Sequence, residues 1–231
     1  MAGVSKYPPS TVFSSFIDAA DPIYGTGSDG DATISGATSL SSDMFYNNLT
    51  IADNITLNTN GYRLFVKNIL QLGNASVIGF STGSTAAGSI KGGGATNAAV
   101  THSLGGSSAA QTATAPTSAL GGSKYYTIPS QAVKGYAVTA SSTTPTFLTG
   151  GAGGASGAGG GVVIVCARYI TCTATTTNGK FSAPGTSGAG GGGGGVILIV
   201  SSAAALPSNV STDVTGGTGA SAGTANYMQL V

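Results

Sequence analysis

The sequence predicts an all-β protein, a short-stranded β-solenoid or β-helix-like stack or a β-sandwich, with glycine-rich, polyglycine-like segments and an oligomeric state. Three observations carry this. Glycine supplies 39 of 231 residues, and charged residues make up only 6% against about 25% in an ordinary globular domain. Apolar residues come in short pieces between Asn, Gly, Asp and Thr, too short for helices and suited to strands joined by tight turns. Stretches of the chain also repeat one another.

Composition excludes several classes at once. The apolar share of 41% and net charge of +1 do not fit a disordered chain, which pairs low hydrophobicity with high charge. Near-neutrality, with Lys and Arg scattered, leaves no basic patch for nucleic acid. Every carboxylate is Asp, so helical faces stabilised by Glu–Lys pairs have no material, and helix should be nearly absent. A surface this poor in charge invites association, so partner chains are expected to cover it. "MAGVSKYPPSTVF" lacks the apolar core of a signal peptide, and no apolar run approaches the roughly 18 residues that span a bilayer; neither a cleaved leader nor a membrane segment is expected.

The elements follow in order. Residues 1–30 hold tandem prolines, an apolar patch (Val12, Phe13, Phe16, Ile17) and the turn-rich "GTGSDGD", and read as an arm or adaptor. Residues 31–82 read as the first β rungs, with Asn60-Gly61 the best turn signal. In "YRLFV", Tyr62, Leu64 and Val66 share one face and Arg63, Phe65 and Lys67 the other, which predicts a half-exposed strand. Residues 83–149 are a low-complexity insertion of Ala, Ser, Thr and Gly with strands expected at "KYYTI", "GYAVTA" and "TFL". Residues 150–231 read as glycine-rich repeated rungs.

The repeats set the register. "GGGVVIVCA" (159–167) recurs as "GGGVILIVS" (193–201), an offset of 34. "RLFVKNILQL" (63–72) aligns at an offset of 100 with "VIVCARYITC" (163–172), "GFST" (79–82) at 101 with "KFSA" (180–183), and "DVTGG" (213–217) lies about 33 beyond "FSAPG". Periods in the thirties mark stacked units that bury a continuous core together. "VVIVCA" and "VILIV" show no alternation, so both faces of those strands should be covered. The run of six glycines directly before "VILIV" is then needed where backbones approach too closely for a methyl group, in a crowded contact between chains or layers. Combined with the charge deficit, this predicts ribbons of extended polyglycine that order against sister subunits.

The Gly run, apolar strand, short connector, "FSAPG" and second Gly run resemble the glycine-rich β-structured proteins of tailed bacteriophage particles: tail and head fibres, spikes, adhesins and capsid-decorating proteins. "DATISGATSLSSDMFYNNLTIADNITLNTNGYRLFVKNILQL" is similar to the opening rungs of phage β-helical structural proteins. The resemblance covers about 31–82 and 150–231. It implies a virion component, commonly a homotrimer, on the particle surface and assembled in the host cytoplasm. Its implied partners are itself, other virion proteins such as the major capsid protein, and a host surface receptor. The short chain without a coiled-coil stalk favours capsid decoration or cement over a complete fibre; a tail-fibre, spike or adhesin subunit is the alternative.

The search for chemistry assigns no catalytic, cofactor or metal residues. "GAGGGG" satisfies GxGxxG trivially, but a strand follows it, so no helix end awaits a pyrophosphate. His102 has no triad or zinc context. A depolymerase would need two nearby carboxylates; Asp43 and Asp53 are the rung candidates, and both read better as turn residues. Asp29 and Asp31 in "SDGD" could contribute to a Ca²⁺ site, though Asp-Gly more often makes a turn. Tyr125, Tyr126, Tyr136 and Phe147 could touch a receptor or partner, though packing of the insertion onto its rungs is the better reading. Cys166 and Cys172, six apart in one extended stretch, would lie about 20 Å apart, beyond disulfide reach, and read as buried free thiols.

Overall fold

The computed structural model describes residues 23–80, 136–137, 146–147, 150–188 and 190–230. Among them there is no helix. The strands are β1 (Ala32–Ile34), β2 (Thr38–Ser39), β3 (Met44–Tyr46), β4 (Leu49–Ile51), β5 (Thr56–Asn58), β6 (Leu64–Leu72), β7 (Val77–Gly79), β8 (Tyr136–Ala137), β9 (Thr146–Phe147), β10 (Val162–Cys172), β11 (Gly179–Ser182), β12 (Val196–Ser201), β13 (Val210–Asp213) and β14 (Thr224–Gln229). Two sheets, parallel throughout, take up all but β8 and β9. The first has the order β1-β4-β6-β10-β12-β14, with β3 also on β6; the second has the order β13-β11-β7-β5-β2. β8 and β9 form a separate antiparallel pair inside the "GYAVTA" and "TFL" islands; "KYYTI" lies outside the described residues.

From β4 to β7 and again from β10 to β14 the chain crosses from one sheet to the other at every step. Parallel neighbours cannot be joined by a hairpin, so each crossing needs a turn that swings the chain between sheets. Asn60 and Gly61 make one, with φ of 50° and 80°. The Tyr62 amide donates to the Thr59 carbonyl at 2.8 Å, closing a turn with positive φ at both central positions, as Asn-Gly favours.

The register answers the repeat analysis pair by pair. Val162 faces Val196 and Cys166 faces Val200, the offset of 34. Tyr169 faces Ile69 and Cys172 faces Leu72, the offset of 100. Nearer the start of the same pairing Val165 faces Leu64, an offset of 101, because the register shifts between Ala167 and Tyr169. In the second sheet Phe181 faces Ile78 and Thr212, so the offsets there are 103 and 31 rather than 101 and about 33. The connectors that lead into β7, β11 and β13 differ in length from round to round, and each sheet carries its own count.

The main core lies between the sheets, where Leu49, Leu64, Leu70, Val163, Val165, Ile197 and Ile199 of the first meet Leu57, Ile78 and Phe181 of the second. The alternate side chains of the first sheet, Val162, Ile164, Cys166, Val196, Leu198 and Val200, form a separate buried cluster on its outer face. The missing alternation in "VVIVCA" and "VILIV" therefore reports two covered faces, as expected. Phe65 corrects the half-exposed reading of "YRLFV". It joins the outer cluster, stacked on Phe45 with ring centroids 4.8 Å apart, while Lys67 stays exposed. The cover comes from Gly25, φ 85°, where an added Cβ would lie 2.7 Å from Phe65 Cβ. Cys166 and Cys172 are free thiols; Cys166 is fully buried and Cys172 only partly so, which corrects the second half of that expectation.

Candidate functional site

The glycine runs extend the sheets beyond the N-terminal ends of β10, β12 and β14 and the C-terminal ends of β11 and β13. Consecutive amides of residues 191–195 point to different neighbours: Gly191 donates to Thr218, Gly192 to Thr186, Gly193 to Ala152, Gly194 to Ser221 and Gly195 to Ala183, at 2.7–3.1 Å. The targets recur every third residue. Amides 191 and 194 reach the 218–221 segment, amides 192 and 195 the 183–186 segment, and amide 193 the 150–154 segment. Strand amides alternate between two in-plane neighbours; a period of three is that of a polyproline-II-type helix, whose backbone makes no internal bonds and turns outward in three directions.

Three layers result. The middle one holds 157–161 and 190–195, bonded through Gly160 N to Gly193 O at 2.8 Å. On one side lie 183–186 and 214–218, joined by Gly185 N to Thr215 O at 2.8 Å; on the other lies 150–154, joined by Gly151 N to Gly160 O at 2.9 Å. With backbone on every side there is no room for a side chain. A Cβ on Gly157 would stand 2.6 Å from Gly192 N, one on Gly185 2.7 Å from Gly192 C, and one on Gly217 2.7 Å from Thr186 C. Glycine is thus required by sterics here, and the hydrogen bonds offset the backbone entropy of about 1–2 kcal/mol per residue that ordering it costs. The crowding arises between layers of one chain. Of the two expected sources of crowding, chains or layers, the described residues show layers, and these lattice amides find hydrogen-bond partners within the protomer.

At the far end of the lattice three loops meet. Ser156 Oγ lies 2.6 Å from the position of a Cβ on Gly188, Ala155 Cβ lies 3.2 Å from that of Gly190, and Gly191 N bonds Thr218 O at 3.0 Å. Ala155, Ser156, Ser187, Thr218, Gly219 and Ser221 are exposed there. Neither the lattice segments nor these tips contain an ionisable side chain. They can offer hydroxyl and peptide groups to a contact, and no acid, base or nucleophile raised by a partner. A second exposed feature lies on the outer face of the first sheet: Ile69 and Tyr169, 42% and 48% exposed, sit side by side in register, with the Arg168 guanidinium 5.9 Å from the Tyr169 ring centroid.

The carboxylates singled out from the sequence hold backbone. Asp29 accepts from Phe45 N at 2.6 Å. Asp31 accepts from the Asn47 and Asn48 side chains at 2.7 and 3.0 Å and from Asn48 N; these bonds, Asn47 first, hold its carboxyl below the usual range. Asp43 accepts from Arg63 N and Nε, both at 2.8 Å, and pairs with Arg63 Nη2. Asp53 accepts from Asn74 N at 2.7 Å. Among the described residues no three His, Cys, Asp or Glu side chains gather as a metal site requires, and no helix is long and apolar enough to cross a membrane. His102, Tyr125 and Tyr126 lie outside the described residues, while the backbones of Tyr136 and Phe147 are register partners.

Sequence reasoning missed the asparagine staples. Asn74 Oδ1 accepts from Thr176 N, Thr176 Oγ1 and Thr177 N at 2.9–3.4 Å, and Asn209 Nδ2 donates to the Cys172 and Ala174 carbonyls. One round is thereby tied to the next at the same corner. The signal was the repeated Asn beside each strand end, which was read only as turn chemistry. Comparison with protein-family models, with curated proteins and with solved structures finds no match.

Proposed function

We propose that the chain is a non-enzymatic structural protein of a tailed-bacteriophage particle, folded as a short β-solenoid and carried on the particle surface as a homo-oligomer that decorates or reinforces the capsid. The alternation of successive strands between two parallel sheets supports the solenoid reading. The observation that carries the functional reading is the glycine lattice: a body without ionisable groups, bonded in three directions, is suited to stiffness and to presenting a surface. The charge-poor composition supports association with copies of itself and with the major capsid protein.

One observation favours the alternative, a tail-fibre or adhesin subunit that binds the host surface. Three tips converge at one end of the lattice, which is the arrangement of a contact surface on a rigid support. Quantitative mass spectrometry of purified particles separates the two, with labelled antibody locating the chain by electron microscopy. Hundreds of copies on the shell are expected of a decoration protein. A few copies at the tail end, with purified protein blocking infection, would assign the adhesin role instead, and absence from particles would overturn both. Light scattering should return a multiple of the 22.1 kDa chain mass; a single-chain mass at working concentration would remove the oligomer.

A further inference from the structure

We infer that the exposed part of the first sheet's outer face, centred on Ile69 and Tyr169, is the contact between two copies of this chain, related by a two-fold axis that sets Arg168 of each copy against the partner's Asp31. The inference rests on the homo-oligomer proposed above and names its contact surface; it is independent of the virion reading. Beyond the register shift in β10, two rows of side chains run across β1, β4, β6 and β10. Ala32, Leu49, Leu70 and Ile170 belong to the main core, so the residues just before them, Asp31, Asn48, Ile69 and Tyr169, face outward. Two residues further along, Thr33, Thr50, Gln71 and Thr171 form a second outward row in register. All eight are exposed or half-exposed, and each row spans about 14 Å at the ordinary strand spacing. Ile69 and Tyr169 are the large apolar side chains left exposed among the described residues.

The charges of this face lie at opposite ends of the first row. Arg168, beside Tyr169, is exposed. Its guanidinium has no ion pair among the described residues and meets only the Tyr169 ring, at 5.9 Å. At the other end Asp31 uses Oδ1 for Asn47 and Asn48, while its Oδ2 accepts no bond among the described residues. Lys67 precedes both rows and lies along Gly27, whose Cβ position is 3.2 Å from Lys67 Cδ. Two identical faces meet about an axis that runs either across the strands or along them. Across them, each Tyr169 and Arg168 would meet its own copy, like charge on like charge. Along them, the row order reverses. Tyr169 and Arg168 then come over the partner's Asp31, Thr171 over the partner's Thr33, and Gln71 over the partner's Thr50. This arrangement pairs opposite charges twice and sets hydroxyl or amide against hydroxyl, as a self-complementary contact requires.

Sedimentation equilibrium on the full-length chain tests the surface. The parent should give twice the 22.1 kDa chain mass. Arg168→Asp and Asp31→Lys, each alone, bring like charges together at two places and should weaken self-association about tenfold or more. An equimolar mixture of the two variants restores opposite charges at both places and should pair again, a rescue that a variant damaged in folding would not give. Tyr169→Asp, at a residue that belongs to neither core cluster, should fall to the single-chain mass with its β-sheet circular dichroism retained. A two-copy parent whose mass is unchanged in folded Arg168→Asp and Tyr169→Asp chains would overturn the surface and leave the oligomer standing. So would two folded charge variants that stay single on mixing, or a parent of three copies. A single-chain parent would remove the oligomer as well; loss of the Tyr169→Asp chain from particles that retain the parent would then give this face to another virion protein.

Discussion

Replacing Gly160 by Ala tests whether the lattice is held by the absence of side chains. The new methyl would stand 2.5 Å from Gly195 N and closer still to the Ala183 carbonyl oxygen. Relieving that contact moves the 183–186 segment away from the middle layer by about 1 Å, given an ordinary separation of about 3.5 Å. The bonds from Gly195 N to Ala183 O at 2.7 Å and from Gly160 N to Gly193 O at 2.8 Å are the ones at risk. Two buried peptide groups left unpaired cost about 1–3 kcal/mol each, so the expected loss is about 3 kcal/mol or more, a large part of a typical 5–15 kcal/mol stability. Gly36→Ala is the control: no atom lies within 4 Å of its Cβ position, and its φ is not positive, so it should be neutral or stabilising by up to about 1 kcal/mol. Urea titrations followed by circular dichroism measure both. The midpoint should fall for Gly160→Ala and hold or rise for Gly36→Ala. If the two variants lie within about 0.5 kcal/mol of each other, close approach is not what selects glycine in the lattice.

Asn74→Ala removes three hydrogen bonds that tie the β6–β7 turn to the connection between β10 and β11; it should cost about 1–3 kcal/mol and raise amide exchange at Thr176 and Thr177 before any global change. Acidification should destabilise the protein through Asp31 and Asp213. Burial works against the Asp213 charge, but bonds from Thr215 and the Lys180 ammonium outweigh it and lower its pKa, as the Asn47 and Asn48 side chains do for Asp31. A carboxyl whose folded pKa is lowered contributes stability that is present above its unfolded value, 3.8 here, and lost as pH falls through the folded one. Thermal midpoints should therefore drop below pH 4 in the parent, and less so in an Asp31→Asn, Asp213→Asn double variant.

How much of this was legible in the sequence depended on whether one segment carried its own explanation. The Val162–Val196 pairing was readable because "GGGV" opens both strands and two unbroken apolar runs align only one way. The all-β class followed from absent Glu and short apolar pieces. The β7–β11 register was not readable, since the shift between Ala167 and Tyr169 and the unequal connectors leave no mark on composition. Phe65 was misread because its cover, Gly25, lies 40 residues upstream, and an alternating pattern looks alike whether the second face meets water or protein. For the glycine run, crowding was legible from residue type, but which backbone does the crowding was not. Of the candidate surface, the sequence displayed the glycines and hydroxyls but not that residues 155–156, 187–188, 190 and 218–221 meet at one end.

The lattice also changes how the molecule should respond to cold. Exposure of apolar surface raises the heat capacity of unfolding, whereas exposure of peptide groups lowers it, and 150–161, 183–188, 190–195 and 214–223 bury peptide groups almost alone. This protein should therefore have a heat-capacity increment below the usual 12–15 cal/mol/K per residue, and a stability curve broader than that of an equally large protein with an ordinary oily interior. A framework held this way keeps its strength on chilling, where a purely hydrophobic one weakens.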